Sequence, residues 1–391
     1  MIRQPMPSAF RKFGLVFLLI GAAITPLQAA PPPPPAEIED IPVALLVDLG
    51  SGQILHARDS DKRFLPASMT KVMTAYVAFE EMSAGRLNPG RTFIVKPETA
   101  REWHGRGTSM YLEPGEQVTT HQLVRGIMTA SANDASVALA EGYAGSVAAW
   151  SVLMNDAAKR LGMRGSQFAT PSGYPDGGLT YVTANDLVTL ANAMLRNFPA
   201  YYETYSGKKT MPWKNTVLRS RDPITGVVKG ADGIKTGYTR EAGYNFLGSA
   251  KRGIRRLVMV VGGAQSPAQR NAASVAYLEW GFSQFRARPL YGQGQYIATA
   301  KVQGGDTRHV ALVARQPVYA TVPNRENEAI TLRVLYSGPL KAPLAPDQQV
   351  GVLEIRVKDM PAGRVPLYPG NAVKLGGPVD RVMDGFMNLL S

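Results

Sequence analysis

Residues 66–71 read P-A-S-M-T-K, and the apolar residues that follow them recur at helical spacing. These apolar residues are Val72, Met73, Tyr76 and Val77. Residues three apart lie on the same side of a helix, so Ser68 and Lys71 should point the same way. The stretch therefore predicts a hydroxyl beside an amine at the start of a buried helix.

The Ser-x-x-Lys spacing alone is weak support for catalysis. Serine is a favoured residue at a helix N-terminus, so Ser68 could serve only as a cap. A second copy of the spacing runs from Ser206 to Lys209, in a polar loop with no apolar helix behind it. Further motifs are needed to decide whether the first copy is functional.

Two further motifs supply that support. Ser131-Ala132-Asn133 is the only S-x-N in the chain, between two predicted helices, and Lys235-Thr236-Gly237 is the only K-T-G, on a predicted strand. Serine-lysine acyl transferases contain S-x-x-K, S-x-N and K-T-G in this order. The three motifs together predict an activated serine nucleophile at position 68.

The chemistry of that site explains the lysine. A serine hydroxyl needs a base within hydrogen-bond reach, and an ordinary lysine, with a pKa near ~10.4, would be protonated. Burial and the like charge of Lys235 should lower the pKa of Lys71 until it can accept the proton of Ser68. Backbone N–H groups at the start of the helix would face the oxyanion that forms.

Composition excludes several other classes of site. The 391 residues include no cysteine, which removes disulfides, thiol nucleophiles and cysteine-bound metals. The four histidines are far apart and form no H-E-x-x-H motif, and no G-x-S-x-G elbow supports a histidine triad. We therefore predict neither a metal nor a cofactor.

The N-terminus has the layout of a secretory signal peptide. Basic residues precede the apolar run F-G-L-V-F-L-L-I-G-A-A-I, and small residues follow it. We predict a signal peptide over residues 1–30 with cleavage after Ala29 or Ala30, of which proline at position 31 favours Ala29, then a proline-rich spacer over 31–40. Loss of the three basic residues lowers the net charge from +13 to +10. This excess either serves only solubility or favours binding to an anionic polymer or membrane surface, and nucleic acid fits it less well. We expect a periplasmic protein that binds no nucleic acid.

Periodicity predicts a mixed α/β fold. Strand-like and helical stretches alternate so that an N-terminal hairpin should rejoin late strands in one antiparallel sheet flanked by helices. The predicted catalytic domain covers residues 41–286, and short alternating strands predict a small all-β sandwich domain over 290–376. Residues 88–117 are expected to be mostly loop. Strands are predicted in 41–50, 53–58, 232–237, 244–250 and 255–264, and helices from 68 and in 119–130, 134–144, 181–198 and 267–285.

With these motifs, the sequence resembles the low-molecular-mass penicillin-binding proteins, which are serine D-alanyl-D-alanine carboxypeptidases. The resemblance rests on P-A-S-M-T-K, S-A-N-D, D-G-I-K-T-G-Y-T and A-G-Y-N, and covers nearly the whole chain. It implies the β-lactamase/transpeptidase type of fold. It also implies peptidoglycan stem peptides as substrates and β-lactams as inhibitors.

The resemblance further assigns roles to individual residues. It makes Ser68 the acylated nucleophile, Lys71 its base and Ser131 the relay of the proton toward the leaving amine. The implied substrate-binding residues are Asn133 at the substrate amide, Lys235, Thr236 and Gly237 at the terminal carboxylate, Tyr238 with a backbone N–H in the oxyanion hole, and Arg270 at the carboxylate. Position 238 is often histidine in this family.

Three alternatives stay open at this point. A β-lactamase of the same fold would use a deacylating glutamate, but the segment T-P-S-G-Y-P-D-G-G-L-T-Y-V-T-A-N-D at 170–186 contains none. A DD-endopeptidase uses the same motifs, and a non-catalytic wall-binding protein would not need them. We favour a carboxypeptidase that removes the terminal D-alanine from stem pentapeptides.

The last residues return to helical spacing. Val379, Val382, Met383, Phe386, Met387 and Leu390 fall on one face of a predicted helix over residues 378–391. This face could lie on the inner membrane or pack on the protein's own β domain. We expect weak peripheral membrane attachment through residues 379–391, because Arg381 is the segment's only cation.

Overall fold

The computed structural model describes residues 31–324 and 329–377. The α-helices are α1 (Lys71–Ser83), α2 (Pro97–Trp103), α3 (Thr120–Thr129), α4 (Asn133–Ala144), α5 (Val147–Leu161), α6 (Ala184–Asn197), α7 (Pro199–Tyr205) and α8 (Pro267–Gln284). The strands of the N-terminal part are β1 (Val43–Asp48), β2 (Gln53–Arg58), β3 (Thr92–Ile94), β4 (Gln117–Thr119), β5 (Thr210–Trp213), β6 (Thr216–Arg219), β7 (Ala231–Thr239), β8 (Gly243–Arg252) and β9 (Arg255–Ala264). The C-terminal strands are β10 (Phe285–Tyr291), β11 (Tyr296–Gln303), β12 (His309–Val313), β13 (Val318–Pro323), β14 (Ile330–Leu335), β15 (Leu340–Lys341), β16 (Gly351–Val357) and β17 (Gly363–Pro369).

One antiparallel sheet organises the N-terminal part, in the order β2-β1-β9-β8-β7. The N-terminal hairpin therefore rejoins the late strands, as predicted. The paired residues Leu45, Val260 and Leu247 form one row across the sheet and pack into the core shared with α1 and α3–α6. Lys235 is paired with Leu247, so the K-T-G strand brings a lysine to the end of this apolar row.

The opposite face of the sheet packs on α8. Leu46 and Met259 point to this side because side chains alternate along a strand. A Cβ at Gly281 would meet the side chains of Leu46 and Leu257 at 2.7 and 2.8 Å, so glycine lets the helix approach the sheet closely. The mixed α/β fold with helices on both faces of an antiparallel sheet is confirmed.

Several local predictions need correction. Residues 88–117 are mostly loop, as expected, but they also contain β3 and the helix α2, which was not predicted and begins with proline at its first position. Helices α5 and α7 and the hairpin β5–β6 were not predicted. The predicted helix from Ser68 begins as a 3₁₀ turn over Ala67–Thr70, and the α-helix starts only at Lys71.

The predicted proline-rich spacer is docked at its C-terminal end. Residues Ala36–Ile38 form a 3₁₀ helix, and the side chain of Ile38 is fully buried in the core around α8. The Arg58 guanidinium donates hydrogen bonds to the carbonyl oxygens of Ile38 at 2.6 Å and Ile41 at 3.0 Å. Residues from 36 onward therefore belong to the folded body.

The C-terminal part is β-rich, with a six-stranded sheet in the order β14-β16-β17-β12-β11-β15 and a two-stranded sheet of β10 and β13. The strands pair antiparallel except for β11 and β15, which are parallel. A buried polar cluster joins this part to the first: Asp48 accepts hydrogen bonds from Tyr319 at 2.6 Å and Thr321 at 3.0 Å and pairs with Arg255 at 2.8 Å.

No single helix within 31–324 or 329–377 is long and apolar enough to cross a membrane. The bent pair of helices Asn133–Ala144 and Val147–Leu161, taken together, has sufficient length and apolar composition. The predicted signal peptide over 1–30 and the predicted helix over 378–391 lie outside the described residues.

Candidate active site

The first motif places its serine and lysine in direct contact. The 3₁₀ turn presents Ser68, which is half-buried, and the first residue of α1 is Lys71, which is fully buried. The distance from Lys71 Nζ to Ser68 Oγ is 2.9 Å. A short turn ahead of a packed helix therefore holds the predicted nucleophile within hydrogen-bond reach of the predicted base.

The Lys71 amine has two further hydrogen-bond acceptors. Nζ donates to Asn133 Oδ1 and to the carbonyl oxygen of Ser172, both at 2.7 Å. Three acceptors match the three protons of an ammonium group. When the ammonium loses one proton, the two short bonds to Asn133 and Ser172 keep the amine in place, and its lone pair faces Ser68.

Burial and charge favour the neutral amine. Removal from water is the largest cause that holds the pKa of Lys71 well below its usual range, and the positive charge of Lys235 lowers it further. Asp134 acts in the opposite direction, because a nearby carboxylate stabilises the ammonium. The prediction that burial and Lys235 lower the pKa of Lys71 agrees with this environment.

The turn that presents Ser68 is clamped between two glycines. Ala67 has φ +47°, a left-handed conformation that costs a non-glycine residue about 1 kcal/mol or more. A Cβ on Gly173 would overlap the carbonyl oxygen of Ala67, and a Cβ on Gly237 would overlap that of Pro66. The glycine of K-T-G is therefore required for the close approach of β7 to the turn before Ser68.

The second motif lies between α3 and α4, as predicted. Ser131 is half-buried in a left-handed conformation with φ +62°, and its carbonyl oxygen accepts a hydrogen bond from Thr108 Oγ1 at 2.6 Å. Asn133 is the first residue of α4, and its Nδ2 donates to the carbonyl oxygen of Arg106 at 3.1 Å. Asn133 thus links Lys71 to the loop after α2.

The third motif lies on edge strand β7. Lys235 is 3% exposed, and its Nζ donates to the carbonyl oxygen of Thr236 at 3.1 Å. Burial, followed by the charges of Arg270 and Arg221, lowers the pKa of Lys235 to about 7. This lysine can therefore exchange a proton near neutral pH.

Arg270 lies near Lys235 on the same side of the site. It is buried near the start of α8 and is therefore not a surface arginine. Its guanidinium donates to Asn271 Oδ1 at 2.8 and 3.1 Å and to the carbonyl oxygen of Arg221 at 3.4 Å. The strand side of the site is thus strongly positive, with Asp222 as the nearby countercharge.

Tyr238 ends the K-T-G-Y stretch with an exposed side chain. Its ring is 50% exposed and stacks on Tyr244 of the neighbouring strand, with 4.1 Å between ring centroids. Thr236, two residues earlier on the same strand, is half-buried. Of the predicted site residues, the structure brings Ser68, Lys71 and Asn133 into direct contact and places Gly237 against the turn before Ser68. Lys235 lies near Lys71 and Arg270 near Lys235.

Two residues near the site were not predicted from the sequence: Ser172, which contributes a backbone oxygen, and Asp134, which binds neighbouring residues of the site. Ser172 contributes a carbonyl oxygen, which no residue type reveals. Asp134 follows Asn133 in S-A-N-D, and its carboxylate accepts from Ser109 Oγ at 2.6 Å and from the Met110 N–H at 2.9 Å. The position of Asp134 in that motif was the available signal.

The second Ser-x-x-Lys copy is organised differently. Ser206 follows the last residue of α7 and is 6% exposed. Within the described residues its Oγ has no hydrogen-bond partner, whereas Ser68 Oγ contacts an amine. The described ranges also contain no group of three or more histidine, aspartate or glutamate side chains placed to hold a metal ion.

This fold and these three segments define a serine-lysine acyl transferase. Residues 30–266 match the D-alanyl-D-alanine carboxypeptidase family, and residues 285–375 match the C-terminal domain of penicillin-binding protein 5. The first match covers more than half of the 391 residues, so the chain belongs to the D-alanyl-D-alanine carboxypeptidase family of serine peptidases. Of the alternatives that the sequence left open, this match supports the carboxypeptidase.

Individual relatives agree with the family match. D-alanyl-D-alanine carboxypeptidase DacD of Salmonella typhimurium is 32% identical over 91% of this chain and 92% of its own length. The crystal structure of penicillin-binding protein 5 from Haemophilus influenzae has a TM-score of 0.72 and 29% identity, covering 88% of this chain and 99% of that chain. Penicillin-binding protein D2 of Listeria monocytogenes, solved in its ampicillin-bound form, has a TM-score of 0.56 and 28% identity, covering 62% of this chain and 97% of that chain.

Proposed function

We propose that this carboxypeptidase removes the terminal D-alanine from peptidoglycan stem pentapeptides through an acyl-enzyme on Ser68. The observation that supports this most directly is the fully buried Lys71 amine, 2.9 Å from Ser68 Oγ. Its pKa is lowered by burial, so it can be neutral at the pH where the enzyme works.

In the acylation step, Lys71 Nζ takes the proton of Ser68 Oγ while Oγ bonds to the carbonyl carbon of the penultimate D-alanine. The backbone N–H groups of Ser68 and Tyr238 stabilise the oxyanion. When the carbonyl re-forms, the bond to the terminal D-alanine breaks. The leaving nitrogen takes the proton from Lys71, relayed through Ser131.

In the deacylation step, Lys71 takes a proton from a water molecule that attacks the same carbonyl carbon. The new tetrahedral species collapses, and the proton returns to Ser68 Oγ. The products are the shortened peptide and the free enzyme. Because no glutamate occurs at 170–186, a penicilloyl group should be hydrolysed slowly, which makes the protein penicillin-sensitive.

The terminal carboxylate of the substrate binds on the strand side of the site. Lys235, Thr236 and Arg270 supply positive charge and donors there, and the Arg270 fork suits a carboxylate. Gly237 lets β7 lie close to the turn before Ser68, which places the substrate-binding strand beside the nucleophile. Asn133 binds the substrate amide with the Nδ2 proton that its bond to Arg106 leaves over.

The protein works in the periplasm, where peptidoglycan lies. The signal-peptide layout of residues 1–30 supports this location, and the apolar spacing in 379–391 supports weak attachment to the inner membrane. Both segments lie outside the described residues.

Labelling with penicillin tests the proposal. Penicillin should add one covalent mass to the peptide that contains Ser68, and the wild-type protein should release D-alanine from a pentapeptide. Ser68→Ala should abolish both reactions. Ser206→Ala, in the second Ser-x-x-Lys copy, is the matched control and should keep both. Label on Ser206, or label that survives Ser68→Ala, would contradict the assignment.

A further inference from the structure

A cation packs against two aromatic rings beside the helical side of the site. The guanidinium carbon of Arg106 is 5.4 Å from the ring centroid of Trp103 and 5.2 Å from that of Tyr174. The two rings meet edge to face, with centroids 5.2 Å apart. Arg106 thus joins the loop after α2 to the loop at 170–180. We call these three side chains the arginine clasp.

Both loops of the clasp contact the catalytic residues directly. The carbonyl oxygen of Arg106 accepts a hydrogen bond from Asn133 Nδ2 at 3.1 Å. On the other loop, Ser172 lies two residues before Tyr174, and its carbonyl oxygen accepts from Lys71 Nζ at 2.7 Å. Arg106 of the clasp thus contacts Asn133 through its backbone, and Tyr174 lies two residues from the residue that contacts Lys71. The clasp therefore lies at the edge of the site.

The Arg106 guanidinium retains donors for a ligand. Its side chain is 46% exposed, and stacking on aromatic faces leaves the N–H groups at its edge available. One of these contacts Glu102 at 3.1 Å. Because Glu102 is 57% exposed, this pair is screened by water and holds the guanidinium only weakly. A substrate carboxylate can bind the remaining donors or replace Glu102.

We propose that Arg106, held against Trp103 and Tyr174, binds a carboxylate on the acyl-donor part of the stem peptide. This subsite rests on the function proposed above. The leaving D-alanine is assigned to the strand side, near Lys235 and Arg270, so the rest of the peptide extends from Ser68 toward the helical side. Stem peptides have carboxylates there, on the second residue and, in diaminopimelate stems, on the third.

The alternative is that the clasp only holds the two loops together. A purely structural role affects all substrates alike, because Asn133 and Lys71 act on every acyl donor. A binding role affects the ratio between substrates with and without the carboxylate. The two roles therefore differ in specificity and not only in rate.

The experiment measures D-alanine release from four pentapeptides. The second residue has a free or an amidated α-carboxylate, and the third residue is diaminopimelate or lysine. The wild type should favour one acidic form over its neutral counterpart by about three- to tenfold in kcat/KM, the range of an exposed charge-assisted contact. The pair that shows the preference identifies which carboxylate binds.

Variants then test the assignment. Arg106→Gln should bring the preference to near one, and Arg106→Lys should keep only part of it, because an ammonium lacks the planar fork. Arg101→Gln, which removes an exposed cation on α2 five residues before Arg106, is the matched control and should keep the full preference. Thermal melting and acylation by penicillin verify that each variant is folded with a working nucleophile.

Three results would overturn the inference. They are equal kcat/KM for all four peptides in the wild type, an equal loss on all four in Arg106→Gln, and a preference that Arg101→Gln removes as well. Release of D-alanine from none of the four by the wild type would instead overturn the proposed function, and the subsite with it.

Discussion

Replacement of Lys71 by arginine tests whether this residue acts as a proton acceptor or only as a fixed positive charge. Arginine keeps the charge and the donors toward Asn133 and Ser172, but it does not deprotonate in a protein. The lysine is fully buried with its Nζ within 2.9 Å of three oxygens, so the larger guanidinium also has little room. We expect Lys71→Arg to be nearly as damaging as Lys71→Ala.

The expected loss follows from the role assigned to the amine. A positioned general base contributes on the order of 10²–10⁴ in rate. This corresponds to about 3–5 kcal/mol of transition-state free energy, at about 1.36 kcal/mol for each factor of ten. Acylation by a fluorescent penicillin, followed in time, measures the rate for each variant.

The control uses the second Ser-x-x-Lys copy. Lys209→Arg makes the same chemical change in a segment whose serine has no amine beside it, and its acylation rate should equal that of the wild type. Acylation of Lys71→Arg within a few-fold of the wild-type rate would show that the amine acts as a fixed charge, and the reasoning about its pKa would be wrong.

Further predictions concern charge, packing and attachment. The pKa of Lys235 is about 7 in the folded protein and near ~10.4 in the unfolded chain, so the unfolded chain binds more protons between these two pH values. The free energy of unfolding should therefore rise as the pH rises from about 7 toward ~10. Lys235→Met should flatten this rise in thermal melts, and an unchanged slope would show that Lys235 is not its cause. Arg270→Gln should raise KM for a D-alanyl-D-alanine peptide by about 10- to 100-fold, since a charge-assisted hydrogen bond is worth about 1.5–3 kcal/mol, and an unaltered KM would remove Arg270 from the carboxylate site. Gly237→Ala should slow acylation by displacing the turn before Ser68, whereas Gly294→Ala, in an open surface turn, should not; equal rates would show that the turn can shift freely. Deletion of residues 379–391 should reduce binding to inner-membrane vesicles without changing acylation, and equal partitioning of both forms would rule out the anchor.

The sequence determined the chemical groups and the local elements. The spacing of Ser68 and Lys71, the unique S-x-N and K-T-G motifs, and the apolar periodicity predicted the nucleophile, the base and the mixed α/β fold. These features are local, because the spacing of apolar residues that indicates a helix or a strand is visible within about ten residues. The short helix α2, within a stretch full of glycine and proline, had too weak a period to be predicted.

Only the tertiary structure decided which groups surround that pair. The carbonyl oxygen of Ser172 lies 2.7 Å from Lys71 Nζ although the residues are 101 positions apart, and a backbone oxygen has no signature in the sequence. Arg106 became part of the site because two loops meet at Tyr174, and Arg221 because its loop approaches Arg270. Residue type fixes what a group can do, but burial and distance, which set the pKa of Lys71 and the reach of each donor, arise only when distant segments pack together.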